Sequence, residues 1–128
     1  MIDITQIADE IAQIFADYGE EVIQAVNGAA EEVAKACAED LKQTSPKRTG
    51  GYRRSWKYKR MSGSGKKPQV WVVYNDKHYR LTHLLEKGHI IKSTGGRVRA
   101  IPHIAPAEER AREMFEDKAL EAIGRVTG

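Results

Sequence analysis

From residue 4 onward, the apolar positions of the chain fall mostly three or four apart: Ile4, Ile7, Ile11, Ile14, Phe15, Tyr18, Val22, Val26, Ala29, Val33, Cys37 and Leu41. Only a helix with a single apolar stripe places such a series on one side. Asp3 and Thr5 are candidate caps at its start. An unbroken run to Lys42 would extend on the order of 55 Å at about 1.5 Å per residue. A helix of that length overhangs a small domain, so the stripe serves either core packing alone or core packing plus self-association. Gly19 and the Asn27-Gly28 pair each weaken the helix by roughly 1 kcal/mol relative to alanine, which leaves open whether it is continuous or breaks into two segments. The single cysteine, Cys37, lies at helical spacing from Val33 and Leu41. That position suits a small buried apolar residue better than a nucleophile.

QTSPKRTGG (43–51) stops the helix with Pro46 and supplies turn residues in series. YRRSWKYKRM (52–61) then alternates Tyr52, Arg54, Trp56, Tyr58 and Arg60 against Arg53, Ser55, Lys57, Lys59 and Met61, which predicts a strand with an aromatic face and a charged face. SGSGKKP forms a hairpin loop, and QVWVVYN (69–75) is the antiparallel partner, so Trp56 and Trp71 should lie on adjacent strands with at least one of them mostly buried. HYRLTHLLEKG (78–88) reads as a short helix over 78–87 with Leu81, Leu84 and Leu85 on one side and Gly88 as its left-handed stop. RVRAI (97–101) reads as a third strand. Pro106 suits the first turn of a final helix over 105–124 with an acidic start (Glu108, Glu109). Its apolar face is Ala107, Ala111, Met114, Phe115, Ala119, Ala122 and Ile123, and Gly124 would close it. The 128 residues, 41% of them hydrophobic, are enough for one core and too few for two. The expected fold is therefore one α+β domain spanning 1–128. In it an N-terminal helix (1–42) and the C-terminal helix pack on a small, mostly antiparallel sheet within 52–101.

Several function classes find little support. No apolar run approaches the roughly 18 residues that a membrane span needs, and the acidic N-terminus lacks the basic start and apolar stretch of a secretory signal. The expectation is a soluble protein made in a cytoplasm. HLLEKGHIIKSTGGRVRAIPHIAPAEE (83–109) gathers three histidines, but His83, Glu86 and His89 are spaced HxxExxH. A helical zinc site needs its two histidines four apart, whereas these lie some 120° apart at about 100° per residue. No metal and no cofactor are expected. STGG (93–96) lacks the preceding strand and following lysine of a phosphate cradle, and no general acid, base and nucleophile come together, so an enzyme is not expected.

Charge is unevenly spread. Residues 1–41 carry a net −9, residues 42–104 a net +14 and residues 105–128 a net −2. A basic middle flanked by acidic helices can complement itself within one chain or between copies. It can also meet nucleic acid. On that alternative reading, a basic nucleic-acid-binding module would place Arg48, Arg53, Arg54, Lys57, Lys59, Arg97 and Arg99 on phosphates and stack bases on Trp56 or Tyr58.

Two stretches carry a resemblance. SPKRTGGYRRS (45–55), through Pro46, Gly50 and the aromatic that follows, resembles the element after the first helix in tail-completion and head-to-tail joining proteins of long-tailed bacteriophages. YRLTHLLEKGH (79–89) followed by GGRVRAIPHIAPAEERA (95–111), through Glu86, Gly88, Pro102 and Pro106, is similar to that family's signature leading into its last helix. Gly51 adds a residue before the aromatic, and His89 stands where the family commonly has threonine. The resemblance implies a non-enzymatic structural protein of the virion neck or tail, from a phage or a resident prophage and made in the bacterial host. Such proteins form a ring, a hexamer in the assembled particle, between the connector and the tail tube. DNA passes through the ring without specific binding, and no membrane is involved. Arg48, Arg53, Arg54, Arg97 and Arg99 are then the candidate contacts to other subunits or partners.

Overall fold

In the computed structural model, which describes residues 2–3, 19–47, 50–63 and 69–127, the apolar stripe becomes helix α1, Glu20–Thr44. Gly19 precedes it at φ 90°, a setting that glycine takes without strain. The helix passes the Asn27-Gly28 pair uninterrupted. Stripe positions 4–18 and the candidate cap Thr5 lie outside the described residues. Ile2–Asp3, expected to lead into the helix, form instead a short strand, β1. Their backbone groups take ladder partners on Val72 and Val73, which a helical start would have left to other donors and acceptors. At the far end Ser45 is extended, because the Pro46 ring disfavours helix in the residue before it.

Helix α1 is buried on two sides. Ala29 and Cys37 face the C-terminal helix, while Ala38 faces Trp56 and the Asn27 side-chain carbonyl accepts from the Gln69 backbone N–H at 2.9 Å. The C-terminal helix runs over Ile104–Thr127, three residues past Gly124. It buries Ala107, Ala111, Phe115, Ala119 and Ile123, one residue every four. Met114, expected on that face, is instead exposed. Small residues line the contact on both helices, and Phe115 is the large side chain that the buried row of the C-terminal helix adds to the core they share. Ion pairs Asp40–Arg110 and Glu32–Lys118 show that the two helices are antiparallel. Both pairs are largely exposed and fix register more than they stabilise.

Residues Gly51–Arg54 form one helical turn, α2, where a strand was expected. Gly50 at φ 85° turns the chain into it, and Ser55 closes it by donating its hydroxyl to the Gly51 carbonyl at 2.7 Å. The strand β2 therefore begins later, at Trp56, and runs to Ser62. It pairs antiparallel with β3, Val70–Asn75, placing Trp56 opposite Asn75 and Arg60 opposite Trp71. Both tryptophans are buried, where burial of at least one was expected. The sheet order is β1-β3-β2, so the third strand of the main sheet is Ile2–Asp3 and not the expected 97–101.

Helix α3, Tyr79–Lys87, carries Leu81 and Leu85 against the core, whereas Leu84 turns outward. Gly88 ends it before His89. Strands β4, His89–Ile90, and β5, Arg97–Val98, then pair with each other and with no other described strand. The C-terminal helix, Ile104–Thr127, is α4 in this numbering.

Gly88 is the tightest point of that passage. Its φ is 73°, and an added Cβ would lie 2.4 Å from the Val98 carbonyl oxygen and 3.0 Å from the Ala100 nitrogen, both backbone atoms. Gly28 is the opposite case, in mid-helix with open space around it. Gly88→Ala is therefore expected to lower the free energy of unfolding by about 2–4 kcal/mol through strain and displacement. Gly28→Ala should raise it by roughly 0.5–1 kcal/mol. Urea denaturation of the two variants checks both signs.

Candidate functional site

Helix α4 opens with amide groups that its own turns cannot satisfy. The chain meets that need from a distance. Glu86, near the end of α3, turns its carboxylate onto the start of α4: Oε1 accepts from the backbone N–H of His103 at 2.7 Å and of Ile104 at 2.9 Å, and Oε2 from that of Ala105 at 2.9 Å. Pro106 comes next and has no N–H, and the Ala107 amide already bonds the His103 carbonyl. Every donor of the first turn is thereby accounted for. The acidic group expected there from sequence was Glu108 or Glu109, but both lie beyond the first turn. Burial alone would raise the Glu86 pKa. The three amide bonds and the nearby His103 ring outweigh that effect and hold it below the usual carboxylate value.

His103 extends the junction into the core. Its ring is buried, with Nδ1 2.8 Å from the Ile101 carbonyl and 3.0 Å from Glu86 Oε1. Neither oxygen can donate, so Nδ1 carries the proton, and in the neutral ring Nε2 accepts from the Tyr52 hydroxyl at 2.7 Å. Burial, and then the Glu86 charge, push the Tyr52 pKa well above that of free tyrosine, which keeps this donor protonated. Tyr52, His103 and Trp56 meet edge to face, with centroids 5.5–6.4 Å apart. The Trp56 indole N–H donates to Ser45 Oγ at 2.8 Å, and Asn75 Nδ2 donates to the Tyr52 carbonyl at 2.9 Å. One buried polar chain thus ties the end of α1, the turn α2, strand β3 and the start of α4 together.

The HxxExxH passage resolves into separate jobs. Glu86 is committed to α4, His83 is exposed on α3, and His89 lies past Gly88 in β4. Among the described residues no group of three or more His, Cys, Asp or Glu is arranged to hold a metal ion. Cys37 is buried, and its thiol is pushed up to about 12 by burial and by the Asp40 charge, which suits packing and not nucleophilic attack.

The five arginines proposed as contacts do not form one patch. Arg48 lies outside the described residues. Arg53 is half-buried and donates its Nε to the Ser45 carbonyl, so it secures α2 and is poorly free for a partner. Arg54 is exposed beside Lys57 and Lys77, around a shallow cavity of about 360 Å³ near the start of α3. Arg97 and Arg99 stand at the other end of α3, on and just after the β4–β5 hairpin. Of the motif residues, Pro46 and Gly50 shape the turn into β2, whereas Gly88 and Pro106, with Glu86, shape the entry to α4. Pro102 is exposed immediately before His103. For base stacking, Trp56 is 1% exposed and closed off, which removes it from the nucleic-acid alternative; Tyr58 remains half-exposed. No helix among the described residues is long and apolar enough to cross a membrane.

The junction yields a test with a defined pH sign. Glu86 has a lower pKa folded than unfolded, so its contribution is fully present above the unfolded value, near pH 4.3, and is lost as pH falls through the folded value. Glu86→Gln should cost about 1.5–3 kcal/mol at neutral pH, the worth of charge-assisted bonds to the start of a helix. The gap between wild type and variant should stay flat above about pH 5.5 and narrow below pH 4. Urea unfolding across that range measures it.

Comparison with protein families gives a match over residues 7–88 to the family described as "Bacteriophage HK97-gp10, putative tail-component". Neither the curated proteins nor the solved structures give a significant match. The matched stretch holds α1, the turn carrying Pro46 and Gly50, the β2–β3 pair and α3 with Glu86 and Gly88, and it stops before the amides that Glu86 caps. It covers well over half of the sequence, and the chain belongs to the HK97-gp10-like family of bacteriophage tail components.

Proposed function

We propose that the protein completes the phage tail, or joins tail to head, as a ring of identical subunits between the connector and the tail tube, and that it does so without catalysis, cofactor or specific DNA binding. The observation that carries this reading, beside family membership, is that the charge asymmetry survives folding as a bias: exposed acids outnumber the exposed cations Lys35, Arg110, Arg112 and Arg125 on the helical layer, and cations dominate the sheet side. Glu20, Glu31, Glu32, Glu39, Glu113 and Glu116 are exposed on the helical layer. Lys57, Lys59, Arg60, Lys77, Arg80 and Lys87 are exposed on β2, α3 and the turn between β3 and α3. Opposite surfaces on one chain favour head-to-tail contact between copies, and such a contact closes into a ring when its rotation permits.

The nucleic-acid alternative uses the same basic side, and one experiment separates the two. A phage lacking this gene is complemented with wild type or with Arg54→Glu, and joined particles are counted against free heads and tails. Arg54 is exposed, so its reversal should change folding stability by under about 1 kcal/mol while lowering the yield of joined particles. Arg53→Glu is a poorer probe, because it leaves the Ser45 carbonyl without its donor and should cost about 1–2 kcal/mol of stability. If the gene proves dispensable for joining, and its purified product binds DNA tightly with a steep salt dependence, the joining role is wrong and the nucleic-acid reading replaces it.

A further inference from the structure

Strands β4 and β5 form a hairpin whose only strand partners among the described residues are each other. Its turn is held by the Ile91 amide on the Gly96 carbonyl at 2.7 Å and the Gly95 amide on the Ile91 carbonyl at 2.9 Å. A two-stranded ribbon of two residues per strand is marginal in water by itself. Its side chains are also unusual for a solvated tip. Ile90 is 64% exposed, Ile101 beside the hairpin base is 47% exposed, and Leu84 at the end of α3 is 41% exposed. Lys92, Arg97 and Arg99 are exposed around them and pair with no described carboxylate. From Lys87 to Ala107 the chain holds four cations and no acidic residue.

A surface of opposite charge lies on the same molecule, along α4. Along the outward side of α4, Glu109, Glu113, Glu116 and Leu120 recur at spacings of four, three and four, so they share one face. All are exposed, Leu120 by 61%, and none of the three carboxylates pairs with a described cation. That face offers a row of carboxylates ending in one large apolar side chain. The hairpin offers cations beside Ile90 and the less exposed Ile91.

We propose that the β4–β5 hairpin is an assembly arm that docks on the α4 face of a second copy of this chain, with Ile90 against Leu120 and Lys92, Arg97 and Arg99 against Glu109, Glu113 and Glu116. The contact is heterologous, since arm and face are different surfaces, so each subunit gives one and receives one. The inference rests on the ring reading above and supplies the pairing that would build it.

Charge exchange tests it in the same complementation assay. The arm variant is Lys92→Glu with Arg97→Glu; the face variant is Glu113→Lys with Glu116→Lys. All four side chains are exposed, and melting temperatures are measured first to establish that both variants fold. Each variant alone should lower joined particles at least tenfold. Supplied together they should restore joining, because the reversed arm of one meets the reversed face of the other, and a chain carrying all four changes should join by itself. In parallel, Ile90→Cys with Leu120→Cys should give a ladder of disulfide-linked chains in joined particles, while either single cysteine should not. If the arm variant blocks joining and neither the face variant nor co-expression alters the outcome, the arm meets a different protein and this inference is overturned while the joining role stands. If both variants join normally, the contact does not exist. If wild type itself does not restore joining to the deletion phage, the failure lies with the function proposed above, and the inference falls with it.

Discussion

The carboxylate of Glu86 meets three consecutive amides at the start of α4, across about seventeen residues of chain, and the order of the C-terminal half follows from that contact. Helix α4 contributes Phe115 and a row of alanines to the core, but its first turn presents donors that water would otherwise have to satisfy. A charged acceptor placed there answers the amides and the helix dipole together. The same residue fixes where α3 ends relative to α4. The chain between them must then leave and return over a short span, and Gly88, at a φ other residues avoid and with no room for a Cβ, is what permits the departure. The hairpin β4–β5 is the excursion that results.

Beneath the junction, the Tyr52–His103 bond and the Trp56–Ser45 bond carry polar groups through an otherwise apolar core. Each of these side chains is buried, so leaving one unpaired costs more than the bond itself contributes. Such a network does less to add stability than to penalise other arrangements of α2 against α4. The consequence is that α2, β3 and the start of α4 are held together by bonds that other packings would break.

Much of this was legible in the sequence where a single element carried its own signal. The three-and-four spacing of Val22 through Leu41 gave α1, the β-branched and aromatic run 70–75 gave β3, and Pro46 and Gly88 marked the ends of α1 and α3. Failures came where distant partners decide. Tyr52, Arg54 and Trp56 alternate like a strand, yet Gly50 and Ser55 close a helical turn under them, and Tyr52 turns inward to His103. Gly124 reads as a stop, but the helix continues because α1 supplies packing alongside it at Ala122 and Ile123. Residues 2–3 read as the lead into a helix, but β3 offered an open edge. The candidate site was legible in part: Glu86, Gly88 and Pro106 stood out as a motif, while their common purpose depends on contacts some seventeen residues apart. Arg53 looked like a free surface charge because nothing local reveals its bond to Ser45.

Cryo-electron microscopy of the head-to-tail junction, in particles carrying this protein, would show the proposed contact between copies directly. The expected result is a closed ring of identical copies around the channel, with the β4–β5 hairpin of each against the outward face of α4 of the next, and Ile90 within van der Waals reach of Leu120. A junction in which the chain is absent, or in which its copies surround the channel with their hairpins in solvent and their α4 faces uncovered, would contradict it.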